Sequence, residues 1–377
     1  MTVSVNYTTA GNVDPSLVSQ SGTSSPAGAT SLAKWRAAFS RARAGLAQAK
    51  LLVIGDSWVA GSGAANVSGY AGARAVSFPV KLAAHLTAAG YPARADGFIG
   101  SANQAAYSTY DPRITGWTSN TVLNGALGGT WSTTTASAVL AITPAGQWDR
   151  AQILYAASNS AQVQGSFSPS IDAGGALTTI FANVAPAIGN YVAIAGAPGV
   201  HTLNLTKGNT TINNILGVRF WNTTAPDIEI IQMGRPGGVA ADLSVAVQPW
   251  DSLNELIYVA PDLTYIECTI NDWVAATSTA TYTTQIQALI TAAKLSGDVI
   301  LGTGGPSAIS STSLAQQQIY VDICRTLAVT NDCYFIDQWR RRGSYEANTG
   351  MYADTLHYNG AGYADYEQAI FQVLTGT

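Results

Sequence analysis

A serine at the tip of a buried strand and a histidine three residues after an aspartate are parts from which an acyl-transfer site can be built. The serine lies in LLVIGDSWVAGSG, residues 51–63, where the apolar run Leu51-Leu52-Val53-Ile54 delivers Gly55-Asp56-Ser57. The histidine closes Asp354-Thr355-Leu356-His357. A serine hydroxyl is a weak nucleophile and needs an adjacent base to take its proton. A histidine base in turn needs a carboxylate that fixes its tautomer and stabilises the imidazolium. Asp354 and His357 can both be presented from one turn. Gly, Asp and Ser are also ordinary turn residues, so the placement of Ser57 has to be weighed against the rest of the chain.

The chain has only three histidines. His85 falls in a helical stretch and reads as a surface or core residue. His201 lies in a short alternating run and reads as a strand residue, with a sugar groove as the other possibility. His357 alone has a carboxylate partner and a loop position. Around Ser57, Val59 stands where G-x-S-x-G needs its second glycine, which argues against an α/β-hydrolase nucleophile elbow. Asp56 reads as the acid of its own turn, and Asp272 likewise. Trp58 and Trp273 each follow a polar cluster, so both packing and a weak substrate-binding role stay open, the latter for Gly238 too. Cys268, Cys324 and Cys333 are odd in number and lack CxxC or metal-like spacing. Buried free thiols are expected, with a Cys324–Cys333 pair as the alternative, and no cofactor and no metal.

These residues need elements to hold them. Residues 31–49 place Leu32, Trp35, Ala38, Phe39 and Leu46 at helical spacing, with Ser31 as N-cap. After the strand at 51–54, a helix is expected at 77–89, stopped by Gly90. From 227 onward, strands at 227–233, 263–270, 298–303 and 333–337 alternate with helical stretches near 250–259, 281–296, 313–329 and 360–375. Apolar strands separated by helices imply a parallel sheet covered on both faces. Ligands then sit beyond the strands' carboxyl ends. At those ends lie Gly55-Asp56-Ser57, Gly234-Arg235-Pro236-Gly237-Gly238 and Asn271-Asp272, with Asp354-Thr355-Leu356-His357 before the last helix. Four polar clusters on one sheet edge exceed what turns require.

Residues 112–226 break this rhythm. They are poor in charge and offer short alternating runs at 152–158, 165–172, 191–196, 200–206 and 216–222, the pattern of a β-sandwich. The expected organisation is a flexible arm at 1–30, a split α/β domain at 31–111 and 227–377, and an inserted β-sandwich at 112–226. That insert would be an ancillary, carbohydrate-binding domain.

Composition narrows the partners. Of the 377 residues, 11% are charged, against about 25% in an average protein. Ser, Thr, Asn, Gly and Ala take their place, as in many extracellular or particle-associated proteins. The net charge of −4 offers no basic field for nucleic acid. No apolar run reaches the ~18 residues of a membrane span, and residues 1–16 lack the basic and apolar regions of a signal peptide. The expected location is extracellular or virion-associated, with the cytoplasm as the alternative.

The four clusters resemble, in order, the blocks of the SGNH (GDSL-type) serine hydrolases: GDS at 55–57, a glycine block at 234–237, N-D at 271–272 and D-x-x-H at 354–357. The resemblance covers about 50–100 and 227–375. It implies a flavodoxin-like, three-layer α/β core with a five-stranded parallel sheet, to which the insert adds a jelly-roll-like sandwich. It also implies a catalytic triad of Ser57, Asp354 and His357. The oxyanion hole would be formed by the N–H of Ser57, the N–H of Gly237 and the amide of Asn271. Two positions depart from the family. Thr269 stands where it usually has Gly, and the glycine block reads G-R-P-G-G, so Gly237 and Gly238 compete for the donor role. Gly237 is favoured.

The triad does not choose an ester. The expected reaction is removal of O-acetyl groups from a polysaccharide, on analogy with family members that act on bacterial surface glycans, phage-tail proteins among them. A lipase or an esterase for small acyl esters is the alternative, and a non-catalytic glycan-binding or tail module the second. In a tail component the chain would form a homo-oligomer. Trp117, Trp131, Trp148 and Trp221 are candidate sugar platforms in the insert.

Overall fold

The computed structural model describes residues 32–64, 72–99, 113–120, 130–159, 165–268, 270–309 and 311–376. The arm at 1–30, Ser31 and Thr269 lie outside them.

Helix α1 (Ala33–Arg43) buries Trp35, Ala38, Phe39 and Ala42. The i, i+3, i+4 spacing explains that face. Leu46 does not join it. The helix has ended, and Leu46 is 74% exposed. Strand β1 (Ala49–Gly55) follows and runs into the single turn α2 (Ser57–Ala60). Helices α3 (Ala73–Val76) and α4 (Phe78–Ala88) come next, with Gly90 at φ +86 beyond the second. Two short strands, β2 (Ala93–Arg94) and β3 (Phe98–Ile99), close this first part.

Among its described residues the middle of the chain contains strands and no helix. It runs β4 (Ile114–Thr115), β5 (Thr118–Asn120), β6 (Thr130–Thr133), β7 (Val139–Ile142), β8 (Trp148–Ala157), β9 (Ser166–Ile171), β10 (Ile180–Phe181), β11 (Ala187–Gly199), β12 (Leu203–Lys207) and β13 (Asn213–Trp221). The last part alternates again: β14 (Ile228–Gly234), α5 (Ala240–Leu243), α6 (Ser252–Val259), β15 (Leu263–Cys268), α7 (Asn271–Ala275), α8 (Thr279–Lys294), β16 (Asp298–Thr303), α9 (Leu314–Thr330), β17 (Tyr334–Ile336), α10 (Gln338–Arg342) and α11 (Gly360–Thr375).

Strands β14-β1-β15-β16-β17 form the expected parallel sheet, with β1 pairing β14 from Ala49↔Ile228 to Gly55↔Gly234 and β15 from Leu51↔Leu263. The strand carrying Ser57 is therefore central, and its seven residues are nearly all buried. A central parallel strand is covered on both faces, which is why it reads as an unbroken apolar run.

The middle segment packs in two layers. A five-stranded sheet, β10-β9-β12-β7-β4, lies over β6, β8, β11 and β13. Between them Trp117, Trp131, Trp148, Ile153, Phe167, Leu205 and Phe220 form a second core. The inner layer is continuous with the parallel sheet: β3 pairs β14 in parallel and β13 antiparallel, giving one twelve-stranded sheet. Leu154, Ala156 and Leu216 from this segment belong to the main core. Arg219 of β13 also donates to Glu229 of β14 through Nε at 3.0 Å, in a buried ion pair. Among the described residues no helix is long and apolar enough to cross a membrane.

Candidate active site

Asp56 begins the site. Its Oδ1 accepts the Trp58 N–H at 2.9 Å and so starts α2, while Gly61 at φ +86 ends that turn. The turn lies hard against the sheet. A Cβ on Gly55 would come within 2.6 Å of Val59 Cγ2, and one on Gly234 within 2.4 Å of Ala60 N. These two glycines are paired in register, so the close approach is shared by adjacent strands. Gln232 of β14 adds a tether, donating from Nε2 to Val59 O at 2.7 Å. The result is a short helix whose first residue, Ser57, is only 3% exposed.

His357 reaches Ser57 from the other end of the chain. Its Nε2 is 3.0 Å from Ser57 Oγ, and its Nδ1 is 2.9 Å from Asp354 Oδ2. Asp354 Oδ1 also accepts the N–H groups of Leu356 at 2.7 Å and His357 at 2.6 Å, closing an Asx turn. Burial opposes ionisation of Asp354, but the hydrogen bonds from the His357 ring and these two N–H groups outweigh it and hold its carboxyl at about 2. An ionised Asp354 can only accept, so Nδ1 carries the proton and Nε2 is left to accept from Ser57. The loop passes into α11 through Asn359, whose Oδ1 accepts from Ala361 and Gly362.

The residues that follow Ser57 and His357 also meet. Trp58 and Tyr358 are both fully buried, with ring centroids 4.2 Å apart, and Tyr363 and Tyr366 crowd the same indole. Trp58 therefore offers no face to a ligand. Trp273, 2% exposed, offers none either. Their expected substrate-binding role is corrected: both are packing residues. The same holds for Trp117, Trp131 and Trp148, which fill the second core; only Trp221 is half-buried.

Asn271 opens α7 beside Asp56. Its Nδ2 donates to Asp56 Oδ2 at 3.1 Å and to Gly238 O at 3.0 Å. The loop of Arg235 to Gly238 is a turn in which Gly238 N–H donates to Arg235 O at 2.9 Å, with Gly237 at φ +72. That φ suits glycine at the third turn position. Among the described residues nothing accepts from the N–H of Gly237 or of Ser57. Asp272 is structural, taking the Ala240 N–H at 2.8 Å and tying α7 to α5.

The other expectations fall away from the site. His85 bonds Glu367 at 2.8 Å and stacks on Phe371. His201 bonds Asp172 at 2.7 Å and Ala197 O at 3.1 Å, so both ring nitrogens are occupied by the fold. Cys324 and Cys333 are free and buried, and burial pushes the Cys333 thiol up to about 12. A cavity of about 1110 Å³, lined by Arg74, Ala83, Arg94 and Asp227 among others, lies by the start of β14, away from the triad.

Sequence reasoning missed Glu267. It is fully buried in β15 and its Oε2 faces the Asp56 N–H at 3.4 Å. The signal was a lone acid inside the apolar run LTYIECTI.

The family model described as GDSL-like Lipase/Acylhydrolase matches residues 190–364. The chain carries a GDSL-like acylhydrolase domain. The matched span holds the glycine, N-D and D-x-x-H blocks of the GDSL-like domain but not Ser57, which the sheet returns to them through β1. With this domain the protein is a carboxylic ester hydrolase. A solved peptidoglycan O-acetylesterase superposes with a TM-score of 0.68 at 16% identity, over 93% of this chain and 97% of that one, so the two share a fold with the strand-rich middle included. A family two carbohydrate esterase from Cellvibrio japonicus matches at 12% identity over 71% and 95%, with a TM-score of 0.31. One from Clostridium thermocellum matches at 12% over 70% and 98%, with 0.29. At those scores neither adds to the fold assignment. No curated protein sequence matches the chain.

Proposed function

We propose that the protein is a serine esterase that removes O-acetyl groups from a polysaccharide, with Ser57 as nucleophile, His357 as general base and acid, and Asp354 as its orienting carboxylate. The observation that carries the reading is the unbroken chain of contacts from Ser57 Oγ to His357 Nε2 at 3.0 Å and from Nδ1 to Asp354 at 2.9 Å. In acylation His357 takes the Ser57 proton as Oγ attacks the acetyl carbonyl, then returns it to the departing sugar hydroxyl. In deacylation it takes a proton from a water that attacks the acetyl carbonyl, then returns it to Ser57 Oγ as the ester bond breaks and acetate leaves.

The tetrahedral oxyanion needs preorganised donors. The unengaged N–H groups of Ser57 and Gly237 are suited to this, whereas that of Gly238 is spent in its turn. The Asn271 amide is the third donor, and it exchanges Gly238 O for the oxyanion. For the acetylated glycan, the support is a fold shared with a peptidoglycan O-acetylesterase over almost the whole chain and a charge-poor strand-rich segment. An extracellular or virion-borne site of action follows from such a substrate.

The test is acetate release from a panel of O-acetylated polysaccharides, peptidoglycan included, beside acetyl and long-chain aryl esters, with Ser57→Ala as control. Release from a glycan, lost in the control, is expected. Turnover confined to long-chain esters would make the enzyme a lipase. No turnover of any ester would leave a binding module.

A further inference from the structure

We propose that Glu267 is a positioning residue for the reaction: a neutral acid, buried under the nucleophile turn, that shares its proton with the Asp56 carboxylate and so holds both the Ser57 helix and the Asn271 amide in register. The proposal rests on the reading of Ser57 as nucleophile.

The geometry has one hub. Asp56 Oδ1 takes the Trp58 N–H, and its Oδ2 takes the Ile270 N–H at 3.0 Å and the Asn271 amide at 3.1 Å. A single carboxylate thus aims the nucleophile's helix with one oxygen and the oxyanion amide with the other. Glu267 lies directly behind it. A Cβ on Gly55 would come within 2.7 Å of Glu267 Cβ and 2.9 Å of Oε2. Both acids have 0% exposure, and Glu267 Oε2 accepts the Asp56 backbone N–H at 3.4 Å, which sets the two carboxyl groups side by side. Two carboxyl groups can bond directly only if one is protonated, and two anions in contact without water repel strongly.

The partners decide which acid keeps the proton. Asp56 receives three N–H donors, which favour its anion. Glu267 faces one N–H at 3.4 Å, and its Oε1 has no partner among the described residues. The other titratable groups around Glu267 are Cys324 from α9, Tyr366 from α11 and Tyr265 from its own strand, none of them cationic; His357 faces Asp56. Burial, with the Asp56 charge added, pushes Glu267 well above the usual carboxylate range.

The experiment compares Glu267→Gln and Glu267→Leu with the native enzyme on an aryl acetate, measuring kcat and KM separately. Gln keeps a neutral donor of the same shape, so it retains kcat to within a few-fold. Leu removes the donor, and kcat falls about 10- to 100-fold with KM unchanged, part of what an oxyanion donor is worth. Equal losses in both variants would mean the charge of Glu267 is needed, and equal retention would make it mere filling; either overturns the proposal. Infrared difference spectra give a readout independent of turnover. The carbonyl stretch of a buried protonated carboxylic acid is present at neutral pH in native protein and in Ser57→Ala, and absent in Glu267→Gln. Its absence from the native spectrum overturns the pair, while full activity in Ser57→Ala would overturn the nucleophile and leave the pair standing.

Discussion

In the proposed triad His357 would act as base through the nitrogen that Asp354 leaves free, so each of its members has a distinct signature. Ser57→Ala or His357→Ala should lower aryl acetate turnover by about 10⁴-fold, with far-UV circular dichroism unchanged. Asn271→Ala should lower kcat by roughly 10²–10³-fold with little change in KM, since its amide bonds the oxyanion more strongly than the ground-state carbonyl; steady-state kinetics separates the two. Asp354 also predicts a pH dependence of stability. Its carboxyl is held at about 2, below its ordinary 3.8. The stabilisation it supplies is therefore complete above 3.8 and is lost as pH falls through about 2. The melting-temperature gap between native protein and Asp354→Asn should shrink across that window. Of the proposed triad, Ser57 was legible because it punctuates the end of an apolar run, and Asp354 and His357 because His357 is the one histidine of three with a carboxylate three residues away. Glu267 was not read, because a lone acid inside a strand looks like noise until the chain that packs behind it is known.

At the scale of elements, the site depends on how closely a four-residue helix sits on two strands. Gly234→Ala would place a methyl 2.4 Å from Ala60 N, and backbone cannot yield as a flexible side chain can. Overpacking of this kind costs about 1–3 kcal/mol. Urea titration should show that loss, and kcat should fall as α2 is lifted from the sheet. The parallel strands and long helices were legible within one or two residues, because continuous apolar runs and helical spacing are local signals. The ends were less so. Leu46 continues the spacing of α1, yet the helix has already closed at Arg43. The tryptophans beside the polar clusters misled for a related reason. Composition gives an aromatic ring no address, and only the crowding of Trp58 by Tyr358, Tyr363 and Tyr366 marks it as packing.

At the scale of the molecule, the strand-rich middle does not stand apart. Its inner layer continues the parallel sheet through β3, and the Arg219–Glu229 pair crosses the join under cover. Core and middle should therefore unfold as one. Thermal transitions followed by tryptophan fluorescence, which reports Trp131 and Trp148 as well as Trp58, should coincide with those followed by loss of esterase activity. A middle segment melting separately would show two independent bodies. Alternating runs in the sequence marked these strands, but not their hydrogen bonding to the core, since pairing between distant strands leaves no local trace. The same continuity dictates an order of events during synthesis. Strand β1 is made well before both its neighbours, β14 and β15, and the contacts of the turn it carries are as distant: Gln232, which tethers α2, lies 173 residues after Val59, and His357 lies 300 after Ser57. Contacts so distant in sequence form slowly. Until β14 and β15 leave the ribosome, the apolar β1 has neither partner strand, which exposes the nascent chain to aggregation and to chaperones. Ser57 therefore meets its proposed base only after the chain that separates them by 300 positions has been made and folded.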